Sequence, residues 1–272
     1  MLRCLPFSIQ LLNFLTLCLL AACNLEKEVE IVLPAHQSEL VVEAYLEPGK
    51  PYRLLLTQTQ AYFDSLNFPF VADANVVIRV NEQAVRLQPT FLVDTATNKV
   101  YNYASVETVP SNYEDTFTLT IDDVEGRRIT ATTKLSRRVE IDSLAWFYND
   151  RNFAYLLTLF TDDPNTQDYY RLLINRDSLT SGADVDILLD DVLLGGDQVP
   201  LATNYSYEYG DTLFVRLFHL DEPYYHYLRS LQDARSSNGN PFAQPSPLKS
   251  GVSGGYGVFT GLAYEQRRIV LE

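Results

Sequence analysis

Residues 39–57, ELVVEAYLEPGKPYRLLLT, decide the fold class of this chain. Apolar and polar side chains alternate along 39–46 and again along 52–57, which is the period of a half-buried β-strand. Pro48 and Gly49 stand between the two runs and form a turn signal. The sequence therefore predicts an antiparallel hairpin.

The same pattern occurs twice more before residue 139. Apolar residues alternate in 76–80 and 85–87, and again in 117–121 and 129–131, with turn-forming residues between the members of each pair. Threonine and β-branched residues suit a pleated, half-buried surface. We therefore predict a mainly all-β protein made of two packed β-sandwich-like domains. The first, residues 36–139, has roughly the size of an immunoglobulin domain.

The second predicted domain is residues 140–272. Strand-like runs occupy 141–147, 155–160 and 169–175, separated by residues that favour turns. This domain is again mostly strand.

One short helix is predicted near residues 221–235. Asp221 can cap its first turn, Pro223 suits the first turn, and apolar side chains follow at helical spacing. The segment 236–255 is rich in Ser, Asn, Gly and Pro and is read as an extended loop. Residues 256–262 are the last predicted strand.

The N-terminus has the pattern of a bacterial lipoprotein signal. Leu20-Ala21-Ala22-Cys23 follows an apolar run that begins at Leu5 and is too short for a membrane span. We predict that residues 1–22 are a removed signal peptide. Residues 23–35 would be a lipidated cysteine and an acidic tether, with diacylglycerol and further acyl chains such as palmitate on Cys23. The alternative is an ordinary signal peptide with a coincidental cysteine.

Composition limits the possible partners and chemistry. Cys4 and Cys18 lie in the predicted signal peptide, so the mature chain would hold no disulfide. The net charge of −14 becomes −15 without Arg3. Such a chain repels nucleic acid and anionic lipid heads, so membrane attachment would come from the acyl chains on Cys23.

Four segments resemble a known family. They are LVVEAYLEPG at 40–49, RVEIDSL at 138–144, DDPNTQDYYR at 162–171 and NPFAQPSPLKSGVSGGYGVF at 240–259. They are similar to a Bacteroidetes family of outer-membrane lipoproteins labelled domain of unknown function 4249. The resemblance implies a two-domain, β-rich lipoprotein, often encoded beside a TonB-dependent transporter. It implies no reaction, because these motifs are structural landmarks.

Two acid-rich stretches offer the oxygen ligands that calcium needs. The first contains Asp162, Asp163, Asn165 and Asp168, and the second is a loop predicted within 184–197. Neither has the spacing of an EF-hand. Asp and Asn also open turns by bonding their own backbone, so solvated loops are the favoured interpretation. We assign no metal and no cofactor, and keep the first four side chains as calcium candidates.

Tyr205, Tyr207 and Tyr209 alternate in the segment YSYEY. In a strand, this spacing would place three rings on one face, where they could stack on a sugar or a peptide. Such rings also form sandwich cores and protein interfaces, which is the favoured interpretation. They remain the ligand-binding candidates, with the ligand itself unknown.

The sequence contains no convincing catalytic group. Ser253 stands in a G-x-S-x-G pattern, but neither Asp nor His follows it, as a hydrolase triad in that order requires. His36, His219 and His226 form no known metal-binding or catalytic motif, and chance placement is the favoured interpretation. We predict no catalytic residue and no enzymatic activity.

The expected function follows from the anchor and the resemblance. We expect a lipoprotein of the bacterial outer membrane, facing the cell exterior, that serves as a non-enzymatic binding or accessory subunit of a TonB-dependent nutrient uptake system. Its partner would be the transporter barrel. The alternative is a free-standing surface adhesin or a glycan- or protein-binding module.

Overall fold

The structure is a computed structural model that describes residues 36–61, 68–113, 115–193, 197–238, 244 and 246–272. The predicted signal peptide, Cys23 and the acidic tether lie outside the described residues. Residues Ser38–Glu272 form one compact unit.

The described residues are mainly strand. In chain order the strands are β1 Leu40–Leu46, β2 Pro51–Gln58, β3 Asn75–Val80, β4 Gln83–Asp94, β5 Lys99–Thr108, β6 Thr116–Asp122, β7 Arg128–Lys134, β8 Ile141–Tyr148, β9 Ala154–Thr161, β10 Tyr169–Arg176, β11 Val185–Asp190, β12 Gln198–Ala202, β13 Thr212–Leu220, β14 Tyr256–Gly261 and β15 Ala263–Val270. Helix α1 is Glu222–Ser237, and a 3₁₀ turn covers Asp191–Leu193. The mainly all-β, sandwich-like fold is confirmed.

The first core is formed by side chains of an eight-stranded sheet. The strand order of this sheet is β14-β1-β2-β5-β4-β3-β6-β7. Strand β4 pairs with β3 through its first half and with β5 through its second half, with a register shift between Pro89 and Leu92. Alternate residues of both parts of the sheet, such as Leu54 and Phe117, fill one shared core. The three predicted hairpins, β1–β2, β3–β4 and β6–β7, are confirmed.

The second core lies between two smaller sheets. Their orders are β11-β10-β13-β15 and β12-β9-β8. Leu172, Val215 and Phe160 are among the buried side chains that pack between these sheets. The opposite face of β10 and β13 meets helix α1 and β1 in a third cluster, which includes Phe218 and Tyr224.

Strand β14 joins the two halves of the chain. It comes from the predicted second domain, but it pairs in parallel with β1, from Val41 opposite Tyr256 to Leu46 opposite Gly261. Strand β14 thus lies after the predicted boundary at residue 139 in the sequence, but in the first sheet in space. After Leu262 alone, the chain enters β15 in the four-stranded sheet.

Two sequence expectations were wrong. Residues 256–262 are not the last strand, because β15 follows and pairs with β13. The acid-rich loop predicted within 184–197 contains strand β11, which pairs with β10. Its charged residues are tolerated because its side chains are only half-buried or exposed at this sheet edge.

Helix α1 begins as predicted. The side chain of Asp221 accepts a hydrogen bond from the Tyr224 amide at 2.9 Å. Its second oxygen accepts hydrogen bonds from Thr133 of β7 at 2.7 Å and Thr260 of β14 at 3.0 Å. One N-cap residue thereby connects the helix to both strands. Among the described residues, no helix has the length and apolar character needed to cross a membrane.

Candidate functional site

A cavity of about 680 Å³ opens at one end of the two smaller sheets, the four-stranded and the three-stranded sheet. Its wall is built by the end of β9, the loop that follows it, the start of β10 and His219 of β13. Most of its lining residues carry polar or charged side chains, but most of the lining surface that they and Val139 and Pro164 present is apolar. Of the described residues that line the cavity, none is a serine or a cysteine.

Three carboxylates meet beside this cavity. Asp162, Asp168 and Asp191 each offer one oxygen within 4.8 Å of the others. Asp162 and Asp191 are buried. Burial raises the pKa of the Asp191 carboxyl; the hydrogen bond from the Asp168 amide opposes this shift, and the like charges of the neighbouring acids add to it. The folded chain therefore holds negative charge here at a cost in stability.

The carboxylate oxygens already have hydrogen-bond donors. Asp191 accepts from the Asp168 amide at 2.7 Å, and Asp162 accepts from the hydroxyl of Tyr170. Asp168 accepts from Thr166 at 2.6 Å and contacts His219 at 2.9 Å. Burial and the bond to Asp162 raise the pKa of Tyr170, so its hydroxyl keeps its proton and donates. Four of the six oxygens are thus engaged by the protein itself.

His219 is held from both sides. Its Nδ1 lies 2.7 Å from the carbonyl oxygen of Arg137, and its Nε2 lies 2.9 Å from Asp168. Because a carbonyl oxygen can only accept, Nδ1 must carry a hydrogen. The Nε2 contact then needs a second proton, on the imidazole or on the carboxyl. His219 is therefore bonded at once to Arg137 and to Asp168 of the cluster.

The calcium candidates divide into two groups. Asp162 and Asp168 do approach one another, and Asp191 from the second acid-rich stretch joins them. Asp163 and Asn165 do not join: the Asp163 carboxylate accepts from the Asn165 backbone at 3.0 Å and from its side chain at 2.8 Å. That is a local turn, as Asp and Asn commonly form. The three clustered acids have the oxygen chemistry of a calcium site but fewer ligands than calcium takes.

The three candidate tyrosines do not share a face. Tyr207 is fully buried, whereas Tyr205 and Tyr209 are 50% and 74% exposed. The segment is no regular strand, because Tyr207 makes only an isolated bridge to Ala154. Burial raises the pKa of Tyr207 to about 12, so its hydroxyl stays neutral in the core. The expectation of a one-sided row of rings was wrong.

A different aromatic row lies on the three-stranded sheet. Tyr205 packs edge-on against Tyr155, with ring centroids 5.0 Å apart, and Tyr155 stacks on Phe147 at 5.4 Å. Phe147 is 50% exposed. No local pattern in the sequence indicates this row, because its members come from β8, β9 and the loop after β12.

Comparison with known proteins places the chain in a family. The family described as "Domain of unknown function (DUF4249)" matches residues 26–268. The chain belongs to this family. The match covers both cores of this DUF4249 chain and the carboxylate cluster beside the cavity.

Other comparisons are distant. No curated protein matches this DUF4249 chain. Among solved structures, it is similar to a chain titled "Cytokine receptor complex - Crystal form 1A", with 8% sequence identity and a TM-score of 0.27. That alignment covers 84% of this chain and 95% of the other.

Proposed function

We propose that this protein is a lipid-anchored protein of the bacterial outer membrane, facing the cell exterior. There it acts as a non-enzymatic binding or accessory subunit of a TonB-dependent nutrient uptake system. The observation that carries the proposal is the sequence Leu20-Ala21-Ala22-Cys23 after an apolar run. Membership of the DUF4249 family is consistent with it.

The anchor determines where the folded unit can act. Acyl chains on Cys23 would hold the protein at the bilayer, since two or more chains give stable attachment where one does not. Residues 24–35 span at most about 40 Å when fully extended. The folded unit would therefore stay close to the membrane, within reach of the mouth of a neighbouring barrel.

A binding role agrees better with the cavity than catalysis does. The oxygens of Asp162, Asp168 and Asp191 mostly accept hydrogen bonds from the protein, which fixes the wall of the cavity. Four of these six oxygens already hold a donor from the protein, so the proposal rests on binding and not on proton transfer by these acids. A recess with mainly apolar surface and a few fixed polar groups supports recognition of a partner or ligand.

The second candidate function is a surface adhesin or a glycan-binding module. The aromatic row of Phe147, Tyr155 and Tyr205 favours it, because exposed rings in contact offer an apolar, rigid surface. In this case the protein would act without a transporter.

The first experiment is a mild-detergent pull-down of the full-length protein from native outer membranes, followed by mass spectrometry of the co-purifying proteins. Cys23→Ala is the matched control, because it removes the acylated thiol and leaves the folded unit unchanged. We expect a β-barrel transporter in stoichiometric amount with the wild type and its loss from the control.

Two other outcomes contradict parts of the proposal. Recovery of the wild type alone, while labelling of intact cells still detects it outside, would favour the adhesin. Equal release of wild type and Cys23→Ala into the soluble fraction would show that Cys23 carries no lipid, and the proposed anchor would be wrong.

A further inference from the structure

A second cavity, of about 280 Å³, lies where the four-stranded sheet faces the first sheet and helix α1. Cross-strand pairing sets its floor: Leu173 lies opposite Arg216, Arg171 opposite Phe218, and Phe218 opposite Tyr264. These side chains share one face of the sheet. The β4–β5 hairpin, where Asp94 pairs with Lys99, forms the other wall.

The cavity has the opposite charge to the rest of the chain. The whole chain has a net charge of −14, yet five basic side chains line this cavity against two acidic ones. The basic residues are Lys50, Arg53, Lys99, Arg171 and Arg216.

Two of the basic groups are neutralised by ion pairs. Arg53 contacts Asp94 at 3.1 Å, and Arg171 makes two hydrogen bonds of 2.7 Å to Asp186. Glu47, the other acid of the wall, accepts a hydrogen bond from Tyr264 at 2.9 Å. Among the described contacts, Lys50, Lys99 and Arg216 have no carboxylate partner; Lys50 is exposed, whereas Lys99 and Arg216 are half-buried.

Lys99 has neither an ion pair nor a hydrogen bond to its ammonium group in the described part of the chain. Its Nζ lies 3.8 Å above the centre of the Tyr45 ring. Burial lowers the pKa of Lys99; Glu43 opposes this shift, and the positive charges of Arg171 and Arg216 add to it. An anion beside Nζ would remove this penalty.

Arg216 is incompletely bonded. Its Nη2 donates to Asn175 at 2.9 Å, but its buried Nε has no acceptor among the described residues. This Nε has almost no accessible surface, so a ligand in the cavity would meet the terminal nitrogens of the guanidinium instead. Burial also lowers the pKa of Arg216.

Aromatic rings surround these two cations. Phe218 and Tyr264 pack with centroids 4.9 Å apart, and Tyr45 meets Tyr224 edge-on at 5.9 Å. The volume equals that of about nine water molecules, which limits a ligand to a small one. A strongly acidic chain also repels polyanions more than monoanions.

We propose that this cavity binds a small organic monoanion, a carboxylate on an apolar body, with Lys99 and Arg216 as its ligands and the surrounding rings as its contact surface. The site is separate from the carboxylate cluster and does not depend on the proposed transporter partner.

The test is isothermal titration calorimetry on the full-length lipidated protein in non-ionic detergent micelles. The probes are benzoate, phenylacetate and hexanoate, with benzamide as a neutral analogue of benzoate and inorganic phosphate as an anion without an apolar body. We expect saturable binding of at least one carboxylate, and affinity at least tenfold lower for benzamide and for phosphate.

Lys99→Met and Arg216→Met should each weaken the carboxylate at least tenfold. Arg268→Met is the matched control, since Arg268 is an exposed arginine on the same sheet and should leave the affinity unchanged. This control also reports any partition of the probe into micelles. Without ligand, the thermal unfolding midpoint of Lys99→Met should equal or exceed that of the wild type, because an unpaired, half-buried charge is removed.

The proposal is overturned if none of the three carboxylates binds saturably, or if benzamide or phosphate binds as well as they do. It is also overturned if both cavity variants retain wild-type affinity. A lower unfolding midpoint for Lys99→Met would assign the lysine a structural role instead.

Discussion

Asn102 offers the sharpest test of how the first core is held together. This side chain of β5 is 6% exposed. Its Oδ1 accepts from the Leu56 amide at 2.7 Å, and its Nδ2 donates to the carbonyl oxygens of Leu56 and Val71, each at 2.8 Å. The amide thus takes the place of backbone pairing between β5, β2 and the segment at Val71.

The expected loss follows from these three bonds. Each contributes about 1 kcal/mol net, so Asn102→Ala should lower the free energy of unfolding by about 3 kcal/mol. The Leu56 carbonyl keeps its bond from the Val71 amide at 3.1 Å, but the Leu56 amide and the Val71 carbonyl lose the partner that Asn102 supplies. These two unpaired groups take the expected loss to about 4 kcal/mol. Asn102→Asp should be worse at pH 7, because a carboxylate keeps one bond but directs an oxygen at two carbonyl oxygens.

The assay is equilibrium urea unfolding followed by far-UV circular dichroism. Fluorescence of Trp146, the single tryptophan, reports from β8 in the second core. Since Ser38–Glu272 is one compact unit, the two probes should show the same transition. Exposed Asn204→Ala is the control and should change stability by less than about 0.5 kcal/mol. A loss below about 1 kcal/mol for Asn102→Ala, or an Asp variant as stable as the Ala variant, would refute the reasoning.

Three further predictions test other parts of the fold. Burial and neighbouring acids raise the pKa of Asp191, so the folded chain binds a proton on this carboxyl more tightly than the unfolded chain does. The stability of the fold therefore decreases as pH rises from about 4 through the pKa of the folded state. Asp191→Asn should therefore raise the thermal midpoint at pH 7 and leave it unchanged below about pH 4; a lower midpoint at pH 7 would contradict this. Gly257→Ala should prevent stable folding, measured by circular dichroism, because φ is +125° and a Cβ would lie 1.8 Å from the Val42 carbonyl oxygen. The control is Gly210→Ala, where φ is +89° but a Cβ meets open space, and it should lower the free energy of unfolding by only about 1 kcal/mol. Asp221→Ala should lose about 3 kcal/mol in urea unfolding, through one N-cap bond and two side-chain bonds to a carboxylate, and a loss below about 1 kcal/mol would count against the connecting role.

Local signals predicted the hairpins and the helix because each depends on residues close in sequence. Pro48 and Gly49 form the turn between β1 and β2. Asp221 caps α1 by accepting from the amide of Tyr224, three residues later. Strand β5 was missed, since its centre carries polar Asn102 and breaks the alternation. Strand β11 was missed because its acids are typical of loops.

The sites could not be predicted in the same way, because they are assembled by long-range pairing. Asp191 reaches Asp168 across 23 positions through the β10–β11 ladder, and His219 reaches it across 51. Lys99 and Arg216 meet only because the β4–β5 hairpin lies against the face of β13. No local pattern in a single sequence encodes these distances, whereas Asp163 and Asn165 satisfied each other locally.

The parallel pairing of β14 with β1 also determines how late in synthesis the first sheet can be completed. Strand β1, the first described strand to leave the ribosome, pairs with β2 early but acquires its second neighbour only when residue 261 has been synthesised. Until then, one edge of β1 presents unpaired amide and carbonyl groups, a template for pairing with other chains. Gly257 then has to fit closely against Val42. This edge of β1 therefore stays open to other chains until β14 has been made, and truncation before residue 256 would leave it permanently open.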